Sequence, residues 1–196
     1  MFEDFLDDLD DKWTEMSGSH LELKVLGSTA LFLQTGYERG TKDSDIIKTH
    51  QMSKELCDLL DELAGKGSPL HQKHRVYLDI VGPNVPMLPR EPIWQPYTGV
   101  RLRNFRVSVL DIADVLVSKL KRFHGDDQDD IQAMIDNKAL THEHMLERFF
   151  LVIDRYRHDG QSRHLPKMAQ RFNDIERDGF LVDETDFRDE LDALQF

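Results

Sequence analysis

Phe2, Phe5, Leu6, Leu9, Trp13 and Met16 recur at threes and fours among acidic residues, which predicts an amphipathic helix over residues 2–16. A turn at Ser17-Gly18-Ser19 leads into Leu21-Glu22-Leu23-Lys24-Val25-Leu26, an alternating strand that stops at Gly27-Ser28. The helix that follows ends near Gly36. A polar link then runs from Tyr37 to Lys42, and Ser44 to Lys48 reads as a second strand. Ser53 is placed to cap a helix reaching Ala64, and residues 74–81 carry a third strand.

Residues 82–96 hold five of the seven prolines, which predicts a rigid excursion over the surface, since such a stretch fits neither an interior strand nor a helix. Short strands are expected around 99–102 and 105–108. Helical spacing then dominates: 111–120, 126–135, 143–156 and 163–177, followed by an acidic end with Phe187, Leu191 and Leu194 on its apolar side. The expectation is an α+β fold, a short mixed sheet flanked by helices, with residues 1–109 as the α/β core and residues 110–196 as a helical part packed on it.

Charge narrows the function classes. Twenty-five Lys and Arg against thirty-seven Asp and Glu leave a net charge of −12 over 196 residues, which opposes a protein that coats DNA generally. A run of six basic residues, Arg101, Arg103, Arg106, Lys119, Lys121 and Arg122, is the place where a local phosphate-binding groove could lie. The single cysteine, Cys57, rules out an internal disulfide and suits a reducing, cytoplasmic setting. No apolar run approaches the roughly 20 residues that span a bilayer, so no membrane role is expected.

The candidate chemistry lies between residues 27 and 79. Asp43 and Asp45 are two apart, and on an extended segment such side chains share a face. Two carboxylates on one face form half of a hard-cation site. Asp79 lies in the apolar run Val76-Tyr77-Leu78-Asp79-Ile80-Val81, where a charge is expensive unless paired or metal-bound. Gly27-Ser28, between strand and helix, is suited to backbone approach and phosphate binding at exposed amides. Each feature also has a plain reading: a solvated Asp-x-Asp turn, an ordinary glycine turn, and a buried salt bridge from Asp79 to Arg39 or Arg75.

Taken in order, Gly27-Ser28, fourteen residues (29–42), then Asp43-x-Asp45, with Arg39-x-Thr41-x-Asp43 between, resembles the nucleotidyltransferase fold of the DNA polymerase beta superfamily. More narrowly, it resembles the small bacterial nucleotidyltransferase-like proteins related to the AbiEii-type toxins of abortive-infection and toxin–antitoxin systems. A second, weaker motif is the helix carrying Lys119 and Arg122, followed by Asp127 and Asp130.

The resemblance covers residues 20–136 and implies a minimal nucleotidyltransferase fold. It implies Mg²⁺ or Mn²⁺ on Asp43, Asp45 and Asp79. A nucleoside triphosphate would be held by Gly27, Ser28, Arg39, Thr41, Lys119 and Arg122, with Lys119 counted among the catalytic groups. The acceptor would be an RNA end, a protein hydroxyl or a small molecule, in a toxin–antitoxin or phage-defence setting. The alternative is an inactive nucleotide-sensing or protein-binding module of the same fold. Ser28 stands where many members have a second glycine, and Ser44 where an aliphatic residue is usual.

Overall fold

The computed structural model describes residues 2–17, 19–37 and 42–192. Its first helix, α1 (Phe2–Met16), buries Phe2, Phe5, Leu6, Leu9 and Trp13, the stripe that the spacing predicts. The chain continues through β1 (Leu21–Val25), α2 (Gly27–Thr35), β2 (Asp43–Ile47) and α3 (Lys54–Ala64). Ser53 does cap α3, its hydroxyl accepting from the Leu56 amide.

The third strand, β3, spans Tyr77–Val81, shorter than the expected 74–81, because a helix, α4 (Pro69–His74), takes in His74 and is capped at Arg75. The local chemistry explains α4. Ser68 accepts from the His71 amide, and Pro69 sits in the first turn, where its missing N–H costs nothing.

After β4 (Trp94–Pro96) and β5 (Phe105–Leu110), the sheet is complete in the order β3-β2-β1-β5-β4. β1 runs parallel to β5 and antiparallel to β2, and β2 runs parallel to β3. The strand expected at 99–102 is absent, and Trp94–Pro96 takes the edge place against β5 instead. An edge tolerates Pro96, since one side of that strand needs no ladder partner.

Two compact units result. The first takes in residues 1–85 and 94–110. One face of its sheet is its core: Leu21, Leu23, Val25, Ile46, Leu78, Phe105, Val107 and Val109 are buried, with Trp13 of α1 tilted against Phe105 at 5.3 Å between ring centres. Asp10 is buried midway along that helix, where it accepts from the Arg103 amide (2.8 Å) and from the amide and side chain of Asn104 (2.8 and 3.1 Å).

The second unit comprises residues 86–93 and 111–196. It contains α5 (Ile112–Leu120), α6 (Gly125–Asp136), α7 (His142–Tyr156), α8 (Leu165–Ile175), a wide turn (Glu176–Phe180) and α9 (Arg188–Asp192). Phe149, Phe172 and Phe187 form its aromatic centre.

The proline-rich stretch is not a surface excursion throughout, because Pro86, Met87, Leu88 and Pro89 are buried. The carbonyls of Leu88, Pro89 and Glu91 accept from side chains rather than from a ladder. Arg155 donates to Leu88 and Pro89, and Arg148 donates to Glu91 while clamping the buried Asp114 at 2.7 and 2.9 Å. Asp114 also accepts from the Ile93 amide at 2.9 Å.

Candidate active site

Strand register builds the site. In the parallel β2–β3 pair, Asp43 stands beside Tyr77 and Asp45 beside Asp79. Side chains alternate along each strand, so Asp43, Asp45, Tyr77 and Asp79 all project from one face. That face is opposite the core face, which receives Ser44, Ile46 and Leu78. The Tyr77 phenol is pushed above its ordinary pKa by burial first, then by the charges of Asp43, Asp79 and Asp45. All three carboxylates therefore act on one neighbourhood.

The burial argument for Asp79 does not hold. Asp79 is exposed, as is Asp43, while Asp45 is half-buried. The apolar residues around Asp79 belong partly to the other face of β3, and β3 is an edge strand, so the carboxylate reaches solvent. What distinguishes Asp79 is its register partner, Asp45.

The Gly27 turn closes against the same carboxylates. Gly27 has φ +68°, and a methyl group on it would lie 2.7 Å from Asp45 Oδ2. The Leu26 amide donates to the Asp45 carbonyl at 3.0 Å, tying the end of β1 to β2. Helix α2 starts at Gly27, and its N-cap residue, Leu26, makes no side-chain cap hydrogen bond.

Ser44 has a clear role on the opposite face. Its buried hydroxyl pairs with the Thr29 hydroxyl at 2.9 Å, and Thr29 also reaches the Asp43 carbonyl at 3.3 Å. Where an aliphatic side chain would only fill space, this pair fixes α2 against β2 directly behind the acids.

Sequence reasoning missed Tyr77 and Thr29. The period of two from Asp79 pointed to Tyr77, whereas the Thr29–Ser44 pair, fifteen residues apart in the chain, has no local signal.

Among the described residues, no three His, Cys, Asp or Glu side chains are gathered closely enough to hold a metal ion by themselves. The donor set of Asp43, Asp45 and Asp79 still fits a hard cation that completes its shell with water and substrate phosphate oxygens, which is how Mg²⁺ is commonly bound.

Arg39 and Thr41 lie outside the described residues. Lys119 and Arg122 belong to the second unit. The Lys119 ammonium is buried between Asp130 (2.7 Å) and Asp127 (3.2 Å), and Arg122 meets Asp127 at 3.1 Å. Burial raises the Asp127 pKa, but Arg122, Lys119 and the His124 amide outweigh it and hold the carboxyl down to about 2. The run of six basic residues is therefore not one open groove. Arg103 pairs with Asp10 and Asp11, and Lys119 and Arg122 pair with acids, while Arg101 and Arg106 remain exposed.

His142 and His144, too close in sequence for a helical zinc pair, each meet an acid instead: Glu176 at 2.7 Å and Asp111 at 2.9 Å. Cys57 is half-buried, its thiol 3.9 Å from the Met52 carbonyl.

A mixed α+β sheet that presents an acidic face beside a glycine turn and a helix start has the parts a nucleotidyltransferase needs. The chain belongs to the family Nucleotidyltransferase of unknown function (DUF6036), which it matches over residues 4–179. No curated protein and no solved structure matches it. No helix among the described residues is long and apolar enough to cross a membrane.

Proposed function

We propose that the protein transfers a nucleoside monophosphate from a nucleoside triphosphate to an acceptor hydroxyl, with the acidic face of β2 and β3 as its centre. The observation that supports this reading most is the register pairing of Asp45 with Asp79, two residues from Asp43 and beside Gly27. Asp43, Asp45 and Asp79 would hold Mg²⁺ or Mn²⁺, which when bound supplies positive charge to the triphosphate oxygens.

The chain's own groups do the rest. Gly27 and Ser28 stand at the start of α2, the kind of helix end whose backbone favours phosphate, and the missing side chain at Gly27 makes room for the Asp45 carboxylate against the turn. Asp79, exposed at the sheet edge, accepts the proton of the acceptor hydroxyl at its carboxylate. The acceptor oxygen then bonds to the α-phosphorus, the bond from that phosphorus to the bridging oxygen breaks, and pyrophosphate leaves.

Kinship with AbiEii-type toxins, and with it a toxin–antitoxin or phage-defence role, belongs to the same proposal and rests on the Arg39-x-Thr41-x-Asp43-x-Asp45 pattern. The test is incubation with each α-labelled nucleoside triphosphate, Mg²⁺ or Mn²⁺, and RNA, protein or small-molecule acceptors. Label transfer with pyrophosphate release is expected, and it should vanish in Asp43→Ala/Asp45→Ala. No transfer, or transfer that survives the double substitution, removes this reading.

A second reading has one observation in its favour. Since, among the described residues, no three His, Cys, Asp or Glu side chains are drawn into a tight group, this reading has the site bind a nucleotide without turnover, as a sensing or protein-binding module. Calorimetry that shows nucleotide binding alongside a complete lack of transfer would select it.

A further inference from the structure

The sheet order puts β2, with Asp43 and Asp45, between β1 and β3. On the β1 side the Gly27 turn closes against Asp45. On the other side stand Tyr77 and Asp79, which the parallel register sets beside Asp43 and Asp45. Adjacent strands lie about 4.8 Å apart, so β1 and β3 face each other across the aspartates of β2 at roughly 10 Å. A triphosphate with its outer phosphates at the Gly27 turn and its α-phosphate over Asp43 and Asp45 has its leaving group on the β1 side. Attack and departure in phosphoryl transfer are roughly in line, so the acceptor enters from β3. No strand lies beyond β3 to obstruct it.

Tyr77 is equipped for that entrance. Its half-buried side chain projects from the same face as Asp79, two residues along the edge strand, while Leu78 between them is buried on the other face. The ring is held from the flank by His71 of α4 in a T-shaped contact, 5.0 Å between centres and 69° between planes. His71 is pinned in turn, its Nδ1 accepting from the Gly67 amide at 2.9 Å. The Tyr77 hydroxyl, by contrast, makes no hydrogen bond to any described residue. A phenol packed into a structure normally finds a partner for its O–H. Here the ring is fixed and its one polar atom is left for a group outside the chain.

We infer that Tyr77 is the acceptor-binding residue of the site, its hydroxyl donating to an oxygen or nitrogen of the acceptor while Asp79 takes the proton of the reacting hydroxyl. The two side chains are one strand repeat apart, about 7 Å, so the acceptor carries a hydrogen-bond-accepting group at about that distance from the hydroxyl that reacts. This inference rests on the nucleotidyltransferase reading above and adds a recognition element to it. Water has no second group to offer Tyr77, so the contact favours transfer over hydrolysis of the triphosphate.

The test is steady-state transfer by the full chain carrying Tyr77→Phe, which removes the hydroxyl and keeps the ring against His71. The acceptor used is whichever RNA, protein or small molecule takes label from wild type. KM for that acceptor should rise about fivefold to tenfold, the worth of one hydrogen bond, with kcat changed far less. The products should shift from labelled acceptor towards free nucleoside monophosphate. Triphosphate binding, measured by calorimetry with Mg²⁺, should match wild type, which also shows that the variant folds. An unchanged acceptor KM and product ratio, or a loss that falls on triphosphate affinity instead, overturns the acceptor role while wild-type transfer stands. If wild type transfers label to no acceptor, the nucleotidyltransferase reading itself fails, and this inference with it.

Discussion

The Gly27 backbone and the Asp45 carboxylate occupy space that no side chain on residue 27 could share. A methyl group there would stand 2.7 Å from Asp45 Oδ2, and the residue already has a left-handed φ of +68°. Gly27→Ala should therefore cost about 1–3 kcal/mol in backbone strain. It should also push the Asp45 carboxylate off its position. Urea unfolding should show the first effect. Label transfer reduced by more than the loss of folded protein explains should show the second, and a Gly27→Ala protein with full transfer would mean that the turn is only a turn.

The Asp10 carboxylate gives a pH dependence with a definite sign. Burial raises its pKa, but the Arg103 and Asn104 hydrogen bonds outweigh this and hold it below the usual carboxylate value. A depressed folded-state pKa contributes stability above the unfolded-state value of about 3.9, and that contribution is lost as pH falls through the lower folded-state value. Asp10→Asn should cost about 1–3 kcal/mol at pH 7, since its amide N–H₂ must face a backbone donor. Urea midpoints of wild type and variant at pH 7, 5 and 3 should converge at the acid end.

The buried Asp114–Arg148 pair should respond asymmetrically to substitution. Burial already raises the Asp114 pKa against the pull of Arg148. Arg148→Met strands that carboxylate and frees the Glu91 carbonyl, at a cost of about 3–5 kcal/mol. Asp114→Leu/Arg148→Met should be less damaging than Arg148→Met alone. In the single variant, the stranded carboxyl takes up a proton more readily when folded. Its deficit relative to wild type should therefore shrink as pH falls, which chemical denaturation across pH 7 to 4 would measure.

Lys119 is 4% exposed between Asp127 and Asp130, and this arrangement predicts a structural phenotype first. Lys119→Met should destabilise by about 3–5 kcal/mol by leaving buried charge uncompensated. Lys119→Met/Asp130→Leu should recover part of that loss. Triphosphate binding per folded molecule, measured in the double variant, then reports whether the ammonium has a nucleotide role of its own. Unchanged affinity would limit Lys119 to holding α5 against α6.

Local spacing was enough for much of the chain. The apolar stripe of α1 and the Ser53 cap of α3 are readable because helix periodicity and capping act over three or four residues. The Asp43-x-Asp45 pair is readable for the same reason, since strand alternation alone puts both on one face. Pro69 after Ser68 carried the signal for α4 as well.

Tertiary structure decided the rest, because strand order and register are set by contacts between segments distant in sequence. Nothing near Asp79 says that it will stand beside Asp45, or that it will be exposed on an edge strand when its neighbours are Leu78 and Ile80. Burial of Leu88 and Pro89 depends on Arg155, more than sixty residues further along, which donates to carbonyls that no ladder reaches. Trp94 likewise reads as loop in the sequence, and only its pairing with Leu110 in an edge strand brings it under Lys24 on the face that carries the acids. The sequence by itself determined which residues could do the chemistry. The sheet determined which of them share a surface, since side chains from five separate strands meet only once their backbones are hydrogen-bonded in one order and register.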